Sequence, residues 1–378
     1  MRIAVISRVF AKSGGGAESY SVALVQQLAA RHEIHVFAQE SDQPVPGVTY
    51  HRIFCLGRKP RWINQLLFAM ATWWRTRTGF DVVHSHENTW HGQIQTIHVR
   101  PTRYNLFQGR AGLRLVLRWI KVLLSPRLIT YVWLEGARFR PEPTRRVVAT
   151  SDTLKDECEA AYPASRPCMS VVTPGTQLPQ GALTKAEARR QLDLPLEAPL
   201  LLFVANDYAR KGLDTLLQAL AKLPADVHLA VAGHPASIPR YRQLAERLGL
   251  LGQVHFLGSR NDLNPVYRAA DGLVHPTLED SFAMVVLEAM AHGLPVVVSG
   301  PAHCGISRQL QDGVQALLLG NPRDATGLAD RINSVLTNTL LAQQLGQQAR
   351  VFALAHSWES AALQYERLYQ QVASSVSS

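Results

Sequence analysis

The stretch from His275 to Val298 constrains the fold most. It reads as a strand end, an acidic loop, a helix, a tight turn and a second strand. Asp280 and Ser281 precede the run Phe282 to Ala291, so either can cap a helix beginning at Phe282. Gly293 tolerates a left-handed cap and Pro295 cannot continue a helix, which ends it near His292. Leu294 to Val298 is wholly apolar, the pattern of a strand buried on both faces of a parallel sheet. On this helix Glu288 lies about 12 Å of rise beyond the cap. Two acids eight residues apart therefore mark the two ends of one groove and not a close carboxylate dyad.

The same alternation fills the chain. Arg2 to Phe10 is predicted as one strand, followed by a glycine loop through Gly14, Gly15 and Gly16. Ala17 to Arg31 carries a helical apolar stripe, and His35 to Phe37 lies in the next strand. Strand, glycine loop, helix and strand open a doubly wound α/β domain. The loop lacks the G-x-G-x-x-G spacing of dinucleotide sites. A second such domain opens at Leu200 to Ala205 and runs on into Arg210, Lys211 and Gly212 before a helix predicted from Thr215. Cations beside the free amides of a helix start suit a diphosphate. Residues 1–176 are expected to form the first domain, 177–198 a linker and 199–356 the second domain. The final helix, within 357–378, is expected to return to the first domain.

Two predicted strands of the first half end on histidines, His84 with His86, and His98. Strand carboxyl ends are where ligands collect in open α/β sheets. The charge is uneven: residues 1–180 hold 23 Lys and Arg against 12 Asp and Glu, whereas residues 181–378 hold 16 against 17. The basic character is concentrated between Arg100 and Arg146. There Arg114, Arg118 and Lys121 recur on one face of a helix predicted to break near Pro126. One reading is a core helix with a solvated face. The enrichment in Arg and Trp favours the other, a helix lying on an anionic bilayer with Trp119 and Trp133 at its interface. No run of apolar residues is long enough to span a membrane. A strand starts at once after Met1, so no signal peptide is expected, and four scattered cysteines suit a reducing cytoplasm. A peripheral place on the inner face of the cell membrane is the expectation.

Asp280, Ser281, Phe282, Ala283 and the run to Leu287, Glu288 and Ala289 resemble the donor signature of the retaining glycosyltransferases of family 4. Asp280 stands where that family more often has Glu, and Ala283 replaces a glycine. Gly14 to Glu18 resembles the family's Gly-Gly-x-Glu loop, and Arg210-Lys211-Gly212 its phosphate loop. His275-Pro276 before the acid is similar to the lipopolysaccharide-core sugar transferases of that family. The resemblance implies a GT-B fold: two Rossmann-like parallel-sheet domains facing across a cleft, with the C-terminal helix crossing back.

It also implies roles. His98 would lie near the anomeric centre, with His84 and His86 behind it as alternatives. Asp280, with the amides of Phe282 and Ala283, would read the donor sugar, and Glu288 would accept hydrogen bonds from the ribose. Arg210 and Lys211 would stabilise the diphosphate, and Gly15 and Gly16 would face it. With two cations to take up the leaving charge, and no Asp-x-Asp on a strand end, no metal or other cofactor is expected. The implied partners are a nucleotide-sugar donor (a UDP-sugar first), a glycolipid or oligosaccharide acceptor and an anionic membrane surface, but no nucleic acid. Two other classes fit the same features less fully. One is a nucleotide-sugar epimerase of related shape, and the other a non-enzymatic basic protein binding membrane or nucleic acid.

Overall fold

A computed structural model describes residues 1–11, 15–42, 44–56, 59–179 and 181–376. Gly14 of the glycine loop lies outside them. The chain divides into two compact units, Met1–Pro174 with Trp358–Ser378, and Gly175–Ser357. The stretch 177–198 therefore belongs to the second unit.

The first unit contains strands β1 (Arg2–Ile6), β2 (Val9–Phe10), β3 (Glu33–Ala38), β4 (Glu40–Ser41), β5 (Val48–Arg52), β6 (Val82–Ser85), β7 (Ile94–Ile97), β8 (Arg146–Ala149) and β9 (Met169–Val171). Its helices are α1 (Gly16–Leu28), α2 (Arg61–Thr76), α3 (Thr102–Phe107), α4 (Gly112–Leu123), α5 (Pro126–Arg138), α6 (Asp152–Ala161) and the C-terminal helix, Trp358–Val376. Seven strands form one sheet in the order β5-β3-β1-β6-β7-β8-β9, and every pairing is parallel. The expected strand from Arg2 to Phe10 is two strands. The backbone leaves the sheet at Ser7, whose hydroxyl donates to the Val9 carbonyl, and β2 pairs with β4 instead.

The second unit contains α7 (Lys185–Gln191), β10 (Leu200–Val204), α8 (Leu213–Leu220), β11 (His228–Ala232), α9 (Ile238–Arg247), β12 (Val254–Gly258), α10 (Asn264–Ala269), β13 (Gly272–His275), α11 (Met284–Ala291), β14 (Val296–Ser299), β15 (Leu317–Leu319), α12 (Ala325–Thr337) and α13 (Thr339–Ala355). The C-terminal helix of the first unit is then α14. The second sheet runs β12-β11-β10-β13-β14-β15, again wholly parallel. Strands such as β10 and β14 are buried along their length, which is why their sequences are continuous apolar runs and not alternating ones.

Both sheets reverse their winding once, between β1 and β6 and between β10 and β13. Loops leaving the carboxyl ends of neighbouring strands at such a reversal diverge and leave a crevice. The loop after β10 carries Arg210 and Lys211, and the loop after β13 carries Asp280. In the first unit, the loop after β1 carries Gly15, while His86 and His98 follow β6 and β7. The two Rossmann-like sheets meet the fold expected from the sequence.

Candidate functional site

In the second unit the loops after β10 and β13 are locked together. The Arg210 carbonyl accepts from the Leu278 amide at 2.9 Å. Gly212 makes this approach possible: it has φ 84°, and a Cβ there would lie 2.0 Å from the Pro276 carbonyl oxygen. No other residue fits. The contact brings Lys211 to Asp280, with Nζ 2.5 Å from Oδ2 and both side chains largely buried. Lys211 Nζ also donates to the Glu279 carbonyl at 3.0 Å. An ammonium has three N–H groups, so one remains for a ligand.

Asp280 Oδ2 also meets His275 Nε2 at 3.2 Å, and Oδ1 accepts from the amides of Phe282 and Ala283 at 3.3 and 2.9 Å. Burial by itself raises the pKa of this carboxyl, but the hydrogen bond from His275 and the Lys211 ammonium outweigh it and hold the pKa far below the usual carboxylate range. Burial keeps His275 neutral, so Nε2 carries the proton donated to Asp280 and Nδ1 is left as a buried lone pair without a partner. Asp280 is thus a permanent anion.

This arrangement shifts the helix that the sequence placed from Phe282. The Asp280 carboxylate caps a turn before the helix, Ala283 takes the left-handed conformation with φ 73°, and α11 begins at Met284. The amides of Phe282 and Ala283 are directed at the protein's own carboxylate. A sugar hydroxyl would have to share them with it. Glu288, on α11, accepts from the Tyr267 hydroxyl at 2.7 Å, and burial raises its pKa. Arg210 is about half exposed, its Nε 3.6 Å from Asp207. The unit therefore carries a half-exposed cation, a buried ion pair and an acid half-buried on a neighbouring helix.

In the first unit the three histidines are not equivalent. His84 is completely buried, and both its ring nitrogens are engaged at 2.7 Å, one by Tyr369 Oη and the other by Thr96 Oγ1. Thr96 continues through Tyr365 to Tyr20 at 2.8 and 2.9 Å. His84 thus fastens α14 to β6 and β7. His86 is buried behind it, its Nδ1 3.0 Å from His98 Nε2. His98 alone is partly exposed, its ring edge-on to Tyr20 at 4.9 Å. Burial, and then the buried Arg138 guanidinium, lower its pKa to about 3. His98 is therefore a neutral imidazole at physiological pH, a hydrogen-bonding group and not a cation.

The glycine loop meets α1 at Gly15, where a Cβ would stand 2.9 Å from the Glu18 carboxylate. Gly16 begins the helix. No group of three or more metal-ligating side chains occurs among the described residues. Sequence reasoning quoted His275 without giving it a role. Its signal was position, at a strand end five residues before Asp280. Tyr267 carried no signal at all, because it reaches Glu288 only through tertiary packing.

Residues 14–178 match the family described as Glycosyltransferase Family 4, and residues 184–352 that described as Glycosyl transferases group 1. A D-inositol 3-phosphate glycosyltransferase from Xylanimonas cellulosilytica is 30% identical over 327 residues, covering 79% of this chain and 73% of the relative. The lipopolysaccharide glucosyltransferase WaaG of Escherichia coli is 28% identical over 243 residues, covering 61% of this chain and 63% of WaaG. Among solved structures, WaaG, a glycosyltransferase involved in lipopolysaccharide biosynthesis, matches with a TM-score of 0.81 at 21% identity over 96% of this chain and 98% of the other. Anabaena HepE in complex with UDP-glucose matches with a TM-score of 0.75 at 18% identity over 100% and 99% of the chains. Family matches over both units, the extended relative and the two wound sheets agree: the chain belongs to the family 4 glycosyltransferases of the GT-B fold and is a glycosyltransferase.

Proposed function

We propose that the enzyme moves a sugar, with retention, from a nucleoside diphosphate donor to a glycolipid at an anionic membrane face, on the cytoplasmic side, in the synthesis of lipopolysaccharide or another cell-envelope glycan. A UDP-sugar is the first donor to test, as UDP-glucose is the ligand of the Anabaena structure. In the reaction the bond from the anomeric carbon to the diphosphate oxygen breaks. The acceptor oxygen bonds to the same face of that carbon, and its proton passes to the departing phosphate. The growing phosphate charge is met by Arg210 and by the remaining N–H of Lys211. Glu288 takes the ribose hydroxyls, Asp280 orients the sugar, and the first unit offers Gly15, Gly16 and the neutral imidazole of His98. The residues present supply this charge stabilisation without a metal.

The observation that carries the acceptor reading is α4. Its apolar residues are not core: Leu113, Leu117 and Leu124 just beyond its end are 73%, 55% and 79% exposed, and Val122 alone on the helix is buried. Arg110, Arg114, Arg118 and Lys121 line a concavity of about 470 Å³ along it. Nearby, Trp73, Trp90 and Trp133 form a row with ring centroids 6.5 and 5.8 Å apart. Exposed leucines beside cations and tryptophans match an interfacial helix. No described helix is long and apolar enough to cross a membrane.

The test is sedimentation with vesicles combined with transfer of radiolabel from UDP-glucose and related donors. Each cation near an anionic surface contributes about 1 kcal/mol. Changing Arg114, Arg118 and Lys121 together to Gln should abolish salt-sensitive binding to anionic vesicles while leaving transfer to a soluble acceptor analogue intact. Undiminished vesicle binding by this variant would reject the docking role of α4. Label appearing only in a water-soluble phosphorylated acceptor would reject the glycolipid.

A further inference from the structure

A second polar concavity lies at the other end of the first sheet. It has a volume of about 490 Å³ and is lined by Arg2, His35, His51, Trp74, Arg75 and Arg77, among others. Arg2 opens β1 and Arg77 follows the end of α2, so the concavity is at the amino ends of β1 and β6. Gly15, Gly16 and His98 are at the carboxyl ends of the same sheet. Nothing in the transfer reaction uses this place.

Its chemistry is that of an anion site. Three guanidiniums face it, and the Glu33 carboxylate that approaches them is already held by Arg2 Nε at 3.1 Å and by His35 Nε2 at 2.9 Å. Arg2 is spent on the fold: it also donates to the Gly79 carbonyl and lies over the Phe80 ring. Among the described residues Arg75 makes one bond, to the Arg52 carbonyl at 3.2 Å, and Arg77 makes no polar contact. A guanidinium has five N–H donors, so this pair brings most of its donors unspent, with two net charges.

The imidazoles define the rest. The hydrogen bond from His35 holds the Glu33 carboxyl below its usual range, so the proton between them is on His35 Nε2, and Arg2 Nε, 3.3 Å from that nitrogen, gives its own proton to Glu33 at 3.1 Å. His35 Nδ1 must then accept, and His51 Nε2, 2.9 Å away, must donate. His51 Nδ1 is left as an acceptor with no partner among the described residues. Two guanidiniums facing one imidazole acceptor suit an oxyanion that carries its own proton, as a phosphomonoester does below its second pKa of about 6 and a phosphodiester does not. Trp74, 65% exposed and stacked under the Arg77 guanidinium at 5.6 Å, offers a ring face to whatever bears the phosphate.

We propose that this concavity binds a phosphomonoester: Arg75 and Arg77 hold its oxygens, His51 accepts its P–OH hydrogen bond, and Trp74 covers the attached group. The phosphate can belong to a soluble sugar or to a lipid headgroup, and the assay separates these sources. The full chain is titrated calorimetrically at about pH 5.5, below that second pKa, with glucose 6-phosphate, with glucose as control. It is then sedimented with vesicles containing phosphatidic acid, a monoester, against vesicles of equal charge made with phosphatidylglycerol, a diester. Saturable binding in either arm supports the site and names the source.

Changing Arg75 and Arg77 together to Gln should weaken that binding at least about tenfold, the loss expected for charge-assisted hydrogen bonds. His51→Phe, which keeps a ring in place and removes the acceptor nitrogen, should erase the preference for monoester over diester. Binding of UDP should be unaltered in both variants, because these residues belong to no part of the donor site. Absence of binding in both arms overturns the proposal, as does full retention by the Arg75, Arg77 variant. If that variant fails to fold, the His51→Phe result decides. The outcome is independent of whether a UDP-sugar proves to be the donor.

Discussion

Lys211→Met removes the ammonium from a pair that is both structural and, in the proposed reaction, chemical. Taking one partner from a buried ion pair costs about 3–5 kcal/mol when the other charge is left uncompensated. Asp280 would not be left alone, since His275 Nε2 and the amides of Phe282 and Ala283 still face it. We therefore expect a loss nearer to 2–3 kcal/mol, or about 4–12 °C in the melting of a unit of this size. The loss should depend on pH. Asp280 has a depressed folded pKa, so its contribution is present above its unfolded value of about 3.9 and is lost as pH falls through the folded value. Without Lys211 the folded pKa rises toward the unfolded one, so the contribution is smaller and is exhausted at a higher pH. The gap between wild type and variant should therefore be widest near neutrality and narrow in acid. Turnover should fall roughly 10²-fold or more, the scale of losing one donor to a developing oxyanion, measured at a temperature where circular dichroism shows the variant folded. Calorimetric scans at a series of pH values, with initial rates of label transfer, read both effects. Wild-type melting at every pH would refute the energetic reasoning, and near-normal turnover would refute the assignment of Lys211 to the phosphates.

Glu288→Gln should weaken UDP binding by about tenfold or more by calorimetry, whereas Asp280→Asn should spare it and depress transfer. Because burial raises the Glu288 pKa, wild-type affinity should begin to fall at a higher pH than for an ordinary glutamate as acid is added, and an acid-insensitive affinity would contradict the ribose role. The imidazoles of His84 and His98, each lowered to about 3, refuse protons that the unfolded chain accepts near pH 6.5. Stability of the first unit should therefore fall from about pH 6.5 downward by up to about 1.4 kcal/mol per pH unit for each of them, and urea midpoints unchanged between pH 7 and 5 would exclude this. His98→Ala should lower turnover with folding retained, and His84→Phe should instead destabilise by about 1–3 kcal/mol by stranding the Tyr369 hydroxyl. Ala283→Val should destabilise by about 1–3 kcal/mol because a β-branched residue is forced into φ 73°, while Ala283→Gly should stay close to wild type in thermal melts.

Much of the candidate site was legible because it is built from short segments. Gly212 before a helix, Asp280 before another, and histidines closing strands are local signals, each with a local physical cause. The exchange of glycine for Ala283 was visible too, and its cost appears in the structure as a left-handed alanine. Less legible was where α11 begins. A carboxylate that caps its own loop and one that caps a helix look alike in sequence, and only the bonds from Phe282 and Ala283 to Asp280 distinguish them.

The order of elements, the parallel sheets and the positions of the loops follow from the sequence by itself, since apolar periodicity and turn residues act over a few positions. Tertiary structure decided which groups pair. Lys211 reaches Asp280 across 69 positions, Tyr267 reaches Glu288 across 21 and Tyr369 reaches His84 across 285. The last of these contacts separates His84 from His98, because a histidine with both nitrogens bonded inside the core cannot meet a substrate. The same holds for α4. Its sequence shows which face is apolar, but periodicity carries no information about what covers that face, and only the packed chain shows that Val122 is buried while Leu113, Leu117 and Leu124 stay exposed.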